Sequence, residues 1–218
     1  MKKSLLLFVS ILIFGSAFSQ VKLGLNFNPG LLLNRVEDPK VAGDSLEYGN
    51  KGAGFKFAAG PDVYIMFGDN AGITLGLWYA ARRAGVTVND KSNNTERVDK
   101  YNLQYLQIPF TLRMYTNEIS TDMKLYFLVG STFDIKLDEK RKSITPVESD
   151  PVIVKFKAFD ASILAGAGVE IQMGSETYLM AGLRYQRGLI NNASKYDTGI
   201  QEFKLNSNFI SLDLGIKF

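Results

Sequence analysis

Apolar and polar positions alternate with a period of two along most of this chain, and the last ten residues show it most plainly. Ile210, Leu212, Leu214, Ile216 and Phe218 fall on one side; Ser211, Asp213, Gly215 and Lys217 fall on the other. Successive side chains of a strand point to opposite faces, so this segment is predicted to be a strand with one apolar side. Seven further segments carry the same pattern, at 21–33, 54–67, 73–85, 101–115, 124–137, 158–173 and 178–189. In the second, Phe55, Phe57, Ala59, Val63, Ile65 and Phe67 oppose Lys56, Gly60, Asp62 and Tyr64. Pro61 shares the apolar face there and is expected to mark a bulge. Each segment is long enough for a tilted membrane strand, which needs about 9–11 residues.

Short and long connections alternate between these segments. Those at 68–72, 116–123 and 174–177 are short; those at 34–53, 86–100, 138–157 and 190–206 are long and polar. An up-and-down barrel with short periplasmic turns and long outer loops has this alternation. Periodicity gives two faces and no direction. A secreted soluble calyx of eight strands turns its apolar face inward, whereas a membrane barrel turns it to lipid. The loop alternation, the glycines on the polar face and a last strand ending on an aromatic favour lipid. The predicted fold is all-β: an eight-stranded antiparallel up-and-down transmembrane β-barrel, integral to the outer membrane. Tyr79, Tyr101 and Tyr185 near the outer strand ends, and Phe67, Tyr115, Tyr126, Tyr178 and Phe218 near the inner ends, are expected to form two aromatic belts.

The front of the chain implies export. A basic start, Met1-Lys2-Lys3, precedes an apolar run at 5–14 and the small residues Gly15, Ser16, Ala17 and Ser19. These are the parts of a secretory signal peptide, expected at 1–19, with the barrel domain at 20–218. The apolar run is well short of the roughly 20 residues that span a bilayer. The chain has no cysteine, so neither a lipid-anchored cysteine nor a disulfide framework is expected. The formal charge of +3 falls to about +1 without Lys2 and Lys3, which gives no basic footprint for nucleic acid.

Several segments resemble the PorT-like outer-membrane barrel family of Bacteroidota. Tyr105-Leu106-Gln107-Ile108-Pro109-Phe110 is similar to a family strand that reads Tyr-Leu-x-Ile-Pro-apolar. Leu183-Arg184-Tyr185 with Gly188, Leu189 and Asn191 resembles its seventh strand, Asn208 to Phe218 its closing strand, and Lys22 to Asn28 its first. The family carries Glu before Leu-x-Tyr in strand three, where this chain has Gly76 before Leu77-Trp78-Tyr79. The resemblance implies an eight-stranded barrel. The founding member takes part in type IX secretion, a role that barrel motifs do not transfer.

The chemical inventory is mostly subtractive. There is no histidine, so a Ser-His-Asp triad or a histidine metal site is impossible, and no enzyme activity or cofactor is expected. Asp160 and Glu170 share the polar face, but ten extended residues separate them by roughly 33 Å, too far for a dyad. The polar face also carries Lys22, Lys56, Asp62, Lys136 and Lys217. On it Arg82, Arg113, Asp134, Asp160, Glu170, Arg184 and Asp213 are expected to form an interior polar network, with Arg113 and Arg184 pairing to carboxylates on neighbouring strands. Eight strands leave space that side chains can just fill, which argues against a wide pore but leaves a narrow solute channel open.

Function is therefore expected on the outer loops. Glu37, Asp38, Asp44 and Glu47 make one loop acidic; Lys140-Arg141-Lys142 is a basic run suited to lipopolysaccharide phosphates. Val152, Val154 and Phe156 alternate out of phase with the strand beginning near Phe159, which predicts a strand extended beyond the membrane with a bulge near Lys157. The expected partners are outer-membrane lipid and lipopolysaccharide, with envelope or secretion proteins as further candidates and no nucleic acid. The barrel is expected to be a monomer. A structural or interaction protein, an accessory of a secretion machine, a narrow channel and a soluble ligand-binding calyx all remain open at this point.

Overall fold

The computed structural model describes residues 21–37, 46–50, 54–145, 152–196 and 203–218, and the leader expected at 1–19 lies outside them. The strands are β1 (Val21–Glu37), β2 (Leu46–Asn50), β3 (Gly54–Met66), β4 (Ala71–Gly76), β5 (Trp78–Asp90) and β6 (Thr95–Ser120), followed by β7 (Met123–Thr145), β8 (Ile153–Phe156), β9 (Phe159–Gln172), β10 (Tyr178–Gly188), β11 (Ala193–Tyr196) and β12 (Lys204–Lys217). Antiparallel pairing runs from β1 through β12, β10, β9, β7 and β6 to β4 and β5, then to β3, which pairs back with β1 and closes the ring. β4 and β5 are two halves of one stave, because both pair with β3 and β6 in a single register. The closed ring has eight staves, as the sequence pattern predicts.

The interruption at Leu77 has a local cause. Leu77 N–H donates to the Pro61 carbonyl at 3.0 Å. The return bond is missing because proline has no N–H. The expected bulge at Pro61 does not occur: β3 keeps one register with β1 across Leu25↔Pro61, and with β4 and β5 on its other side.

Side-chain direction decides between lipid and calyx. Leu25, Phe133 and Leu183 are each more than half exposed on the outside, whereas Asp62, Arg113, Asp134 and Asp213 are buried inside. Such an exterior is stable against hydrocarbon and not against water, and a closed ring leaves no backbone edge unpaired in the bilayer. The soluble calyx is thereby excluded.

The short turns lie at one end. Gly68 and Gly174 adopt positive φ there, and Asp122 does so in the two-residue turn between β6 and β7. At the other end the described residues of the long connections are largely strand, which corrects the expectation of polar loops. β5 and β6 continue as a hairpin to a turn at Lys91–Asn94, and β2 pairs with β5. Asp90 closes that turn by accepting from Ser92 N–H (2.9 Å) and Asn93 Nδ2 (2.8 Å). These bonds, with the one from the Ser92 hydroxyl, lower the exposed Asp90 carboxyl to about 2. β8 does not extend β9; the chain breaks at Lys157 and β8 pairs with β11 in a separate two-stranded sheet. Val152, Ile153 and Phe156 are buried while Val154 is exposed, so the expected alternating face is not formed. What organises this end is an apolar core: Tyr48, Val86, Tyr101, Ile153, Phe156 and Phe203 belong to one cluster that reaches down to Trp78.

Candidate functional site

The lumen is filled by side chains in layers. The middle layer is built along one row of the sheet. Tyr126 lies opposite Gly168, Gly168 opposite Gly182, and Gly182 opposite Asp213. With no Cβ on either glycine, the Tyr126 ring lies across both, and its hydroxyl donates to Asp213 Oδ2 at 2.9 Å. A Cβ on Gly168 or Gly182 would stand 2.6 or 2.5 Å from that hydroxyl oxygen. This row explains why glycines recur on the inward face. Asp213 also accepts from Arg184 Nη2 at 2.6 Å and Arg113 Nη2 at 3.2 Å. Arg184 sits on the adjacent stave β10, as expected. Arg113 comes from β6, across the lumen and not from a neighbouring strand, because an eight-stranded interior is narrow enough for one arginine to cross. Beside this group, Asp62 accepts from Trp78 Nε1 (2.7 Å), Asn26 Nδ2 (3.1 Å) and the Tyr64 hydroxyl (3.3 Å).

Toward the outside, Arg82 bridges two carboxylates. Asp134 on β7 and Asp160 on β9 are directly opposed. Arg82 Nη1 donates to Asp160 at 2.9 Å, and its Nη2 to Asp134. Gln107 adds a bond to Asp134 at 2.8 Å. Lys56 donates to Gln186 Oε1 at 3.0 Å and lies 3.8 Å from the centroid of the Phe209 ring, which also faces Arg82 at 4.8 Å. Toward the periplasm, Lys217 pairs with Glu170 at 2.7 Å and lies over the Tyr178 ring at 4.5 Å. Ring faces stabilise buried cations, so aromatic contacts supplement the carboxylates throughout. Glu170 and Asp160 therefore belong to different layers, each with its own cation.

Four of the belt aromatics are turned inward instead, half-buried Tyr178 among them with Lys217 over its ring. Tyr101, Tyr115 and Tyr126 are buried, while Tyr79, Tyr185, Phe67 and Phe218 stay exposed on the outside. Parity is the reason: Leu125 and Phe127 face lipid, so Tyr126 between them faces the lumen, and Tyr115 after Met114 does likewise. Phe209, absent from the expected interior, is found by the same parity from Ser211 and Asp213.

The lumen holds its charged groups in pairs. Its acids are held by arginine, lysine and tryptophan, and among the described residues no cluster of His, Cys, Asp or Glu is suited to a metal ion. Above the Arg82 layer stands the apolar core under the outer hairpins. Asp99 is buried in it, accepting from the Tyr101 hydroxyl (2.9 Å) and from Val152 N–H (2.5 Å). The acidic loop does not gather: Glu37 pairs with Arg35 and Glu47 with Lys91, while Asp38 and Asp44 lie outside the described residues. Lys140-Arg141-Lys142 is part of β7 and not a loop tip. The register there passes from Tyr101↔Arg141 to Lys100↔Ser143, leaving Lys142 as the extra residue of a bulge.

The family that the sequence matches agrees with this architecture. The family model described as "Outer membrane protein beta-barrel domain" matches residues 18–194. Among solved structures, the chain is similar to Neisserial surface protein A, at 12% identity and a TM-score of 0.48, covering 90% of this chain and 97% of that one. The N-terminal β-barrel domain of Pseudomonas aeruginosa OprF matches at 11% identity and a TM-score of 0.41, covering 90% of this chain and 97% of that one. The outer membrane protease OmpT of Escherichia coli matches at 11% identity and 0.42, covering 91% of this chain and 95% of that one. No curated protein matches the sequence at a significant level.

Proposed function

The chain belongs to the family of outer membrane protein beta-barrel domains, and from that premise we propose that it is a non-enzymatic structural or interaction protein acting through its folded outer rim. The observation that carries this reading is the closure of the lumen. Buried cations and carboxylates are matched layer by layer, and an apolar core lies over them on the outer side. Solute passage would require breaking several buried ion pairs, and moving one partner away from a buried pair costs about 3–5 kcal/mol. The absence of histidine and the engagement of Asp134 and Asp160 by one arginine support a non-catalytic lumen. The outer hairpins are then the surface left for partners or the lipopolysaccharide layer.

Kinship with the PorT-like barrels of Bacteroidota and export by a cleaved leader at 1–19 are part of the same proposal. They rest on the strand motifs around Tyr105–Phe110 and Asn208–Phe218 and on the basic-apolar-small order of the first residues. Planar-bilayer recording of the refolded barrel tests the closed lumen: no conductance steps are expected, and reproducible steps would refute it. Crosslinking in cells followed by capture tests the accessory role, since recovery of secretion components would replace a self-standing interaction protein with a part of that machine.

A further inference from the structure

The outer end of the barrel wall carries basic side chains just above the apolar band. Leu31 and Phe55 face outward and are about half exposed. They share a concavity of about 670 Å³ with Arg83, Lys100, Asn102 and Lys142. Arg83 and Lys100 are outward positions of adjacent strands: Arg83 pairs with Asn102 and Gly85 with Lys100. Lys142 joins them through the bulge on β7, since the extra residue is re-aimed toward the position that Lys100 and Ser143 share. Nearby basic residues are already neutralised: Arg35 pairs with Glu37 and Lys140 with Asp138. Among the described residues no carboxylate pairs with Arg83, Lys100 or Lys142.

We propose that this concavity is a binding site for the phosphorylated head group of an outer-leaflet lipid, held by Arg83, Lys100 and Lys142. The inference rests on the reading of the chain as an outer-membrane barrel and names one partner of its rim. Three cations on one wall, without acids between them, complement a phosphate-bearing head group, and arginine offers it a forked donor. A lipid is favoured over a free anion because Leu31 and Phe55 line the same hollow and continue into the lipid-facing surface below. Acyl chains of a bound lipid would lie along that surface while the phosphates met the cations.

The test is retention of diphosphoryl lipid A by the refolded barrel in nonionic detergent, read as adducts by native mass spectrometry. The triple variant R83Q/K100Q/K142Q is compared with wild type and with Lys124→Gln, a lysine at the opposite rim. Each cation near an anionic lipid surface contributes about a factor of five, so the triple variant should bind roughly 100-fold more weakly. Lys124→Gln should bind as wild type does. Equal retention of dephosphorylated lipid A, or undiminished binding by the triple variant, would overturn the site. Displacement of lipid A by inorganic phosphate alone would overturn the assignment to a lipid. Heat-modifiable migration on gels is recorded for every variant. A barrel that shifts on boiling but holds no lipid A refutes the site alone, whereas a soluble, non-shifting chain refutes the membrane reading beneath it.

Discussion

Asp213 is the residue on which the middle of the lumen depends, and Asp213→Asn removes its charge at nearly constant shape. In the native barrel it accepts from Arg184 (2.6 Å), Arg113 (3.2 Å) and the Tyr126 hydroxyl (2.9 Å), and both its own side chain and that of Arg113 are only 1% exposed. The amide keeps one acceptor oxygen, so either the Arg184 bond to Oδ1 or the Arg113 and Tyr126 bonds to Oδ2 survive. Two guanidiniums then face each other with Asp62 as the remaining nearby acid. Hydrogen bonds to charged groups contribute about 1.5–3 kcal/mol each, and stripping one partner from a buried pair costs about 3–5 kcal/mol. We expect Asp213→Asn to lower stability by about 3 kcal/mol, and Asp213→Ala, which keeps no acceptor and leaves a void, by about 5 kcal/mol. Trp78 is the chain's one tryptophan, buried with its indole donating to Asp62 and its ring 4.9 Å from the Arg184 guanidinium. Denaturant unfolding in detergent or vesicles, followed by its fluorescence, therefore reports this layer directly. Glu47→Gln, which breaks an exposed pair with Lys91, serves as the comparison and should cost under about 1 kcal/mol. If Asp213→Asn unfolds within about 1 kcal/mol of wild type, with unchanged dependence on denaturant, the ion cluster is not what holds the lumen together. Removing one charge of each sign, in R184Q/D213N, should restore part of the loss, since Arg113 and Asp62 then remain as one buried charge of each sign.

Other expectations follow from neighbouring features. Gly168→Ala should cost about 1–3 kcal/mol by forcing Tyr126 off Asp213, and the same unfolding assay checks it. Pro61→Ala supplies the N–H that Leu77 lacks opposite it, and should raise stability by about 1 kcal/mol in the denaturant midpoint. At the hairpin tip, the Asp90 carboxyl is lowered to about 2, so its contribution to turn order is present above the ordinary carboxylate range and is lost as pH falls through about 2. An NMR titration of Asp90 with a midpoint near the unperturbed value would contradict the Ser92 and Asn93 bonds.

Much of the barrel was legible in the order of residues. A stave is a local object: its apolar and polar faces follow from a period of two, and the short turns from glycine and polar residues between apolar runs. Thus Leu23, Leu25 and Phe27, or Phe110, Leu112 and Met114, declare a face without reference to any other strand. Membership of Arg113, Asp134, Arg184 and Asp213 in the inward set follows by the same parity. Partnership does not, because it depends on register and on distance across the lumen. Only the closed ring brings Arg113 to Asp213, 100 residues away, and sets Asp134 opposite Asp160 under Arg82. Whether the polar face turns inward was likewise a decision of the whole ring. So was the fate of the long connections. Their polar composition hides a few apolar residues, Tyr48, Ile153, Phe156 and Phe203, that are too scattered to show a period. They become a core only when four separate segments meet above the lumen, where burial of apolar surface against other segments replaces local alternation as the organising force.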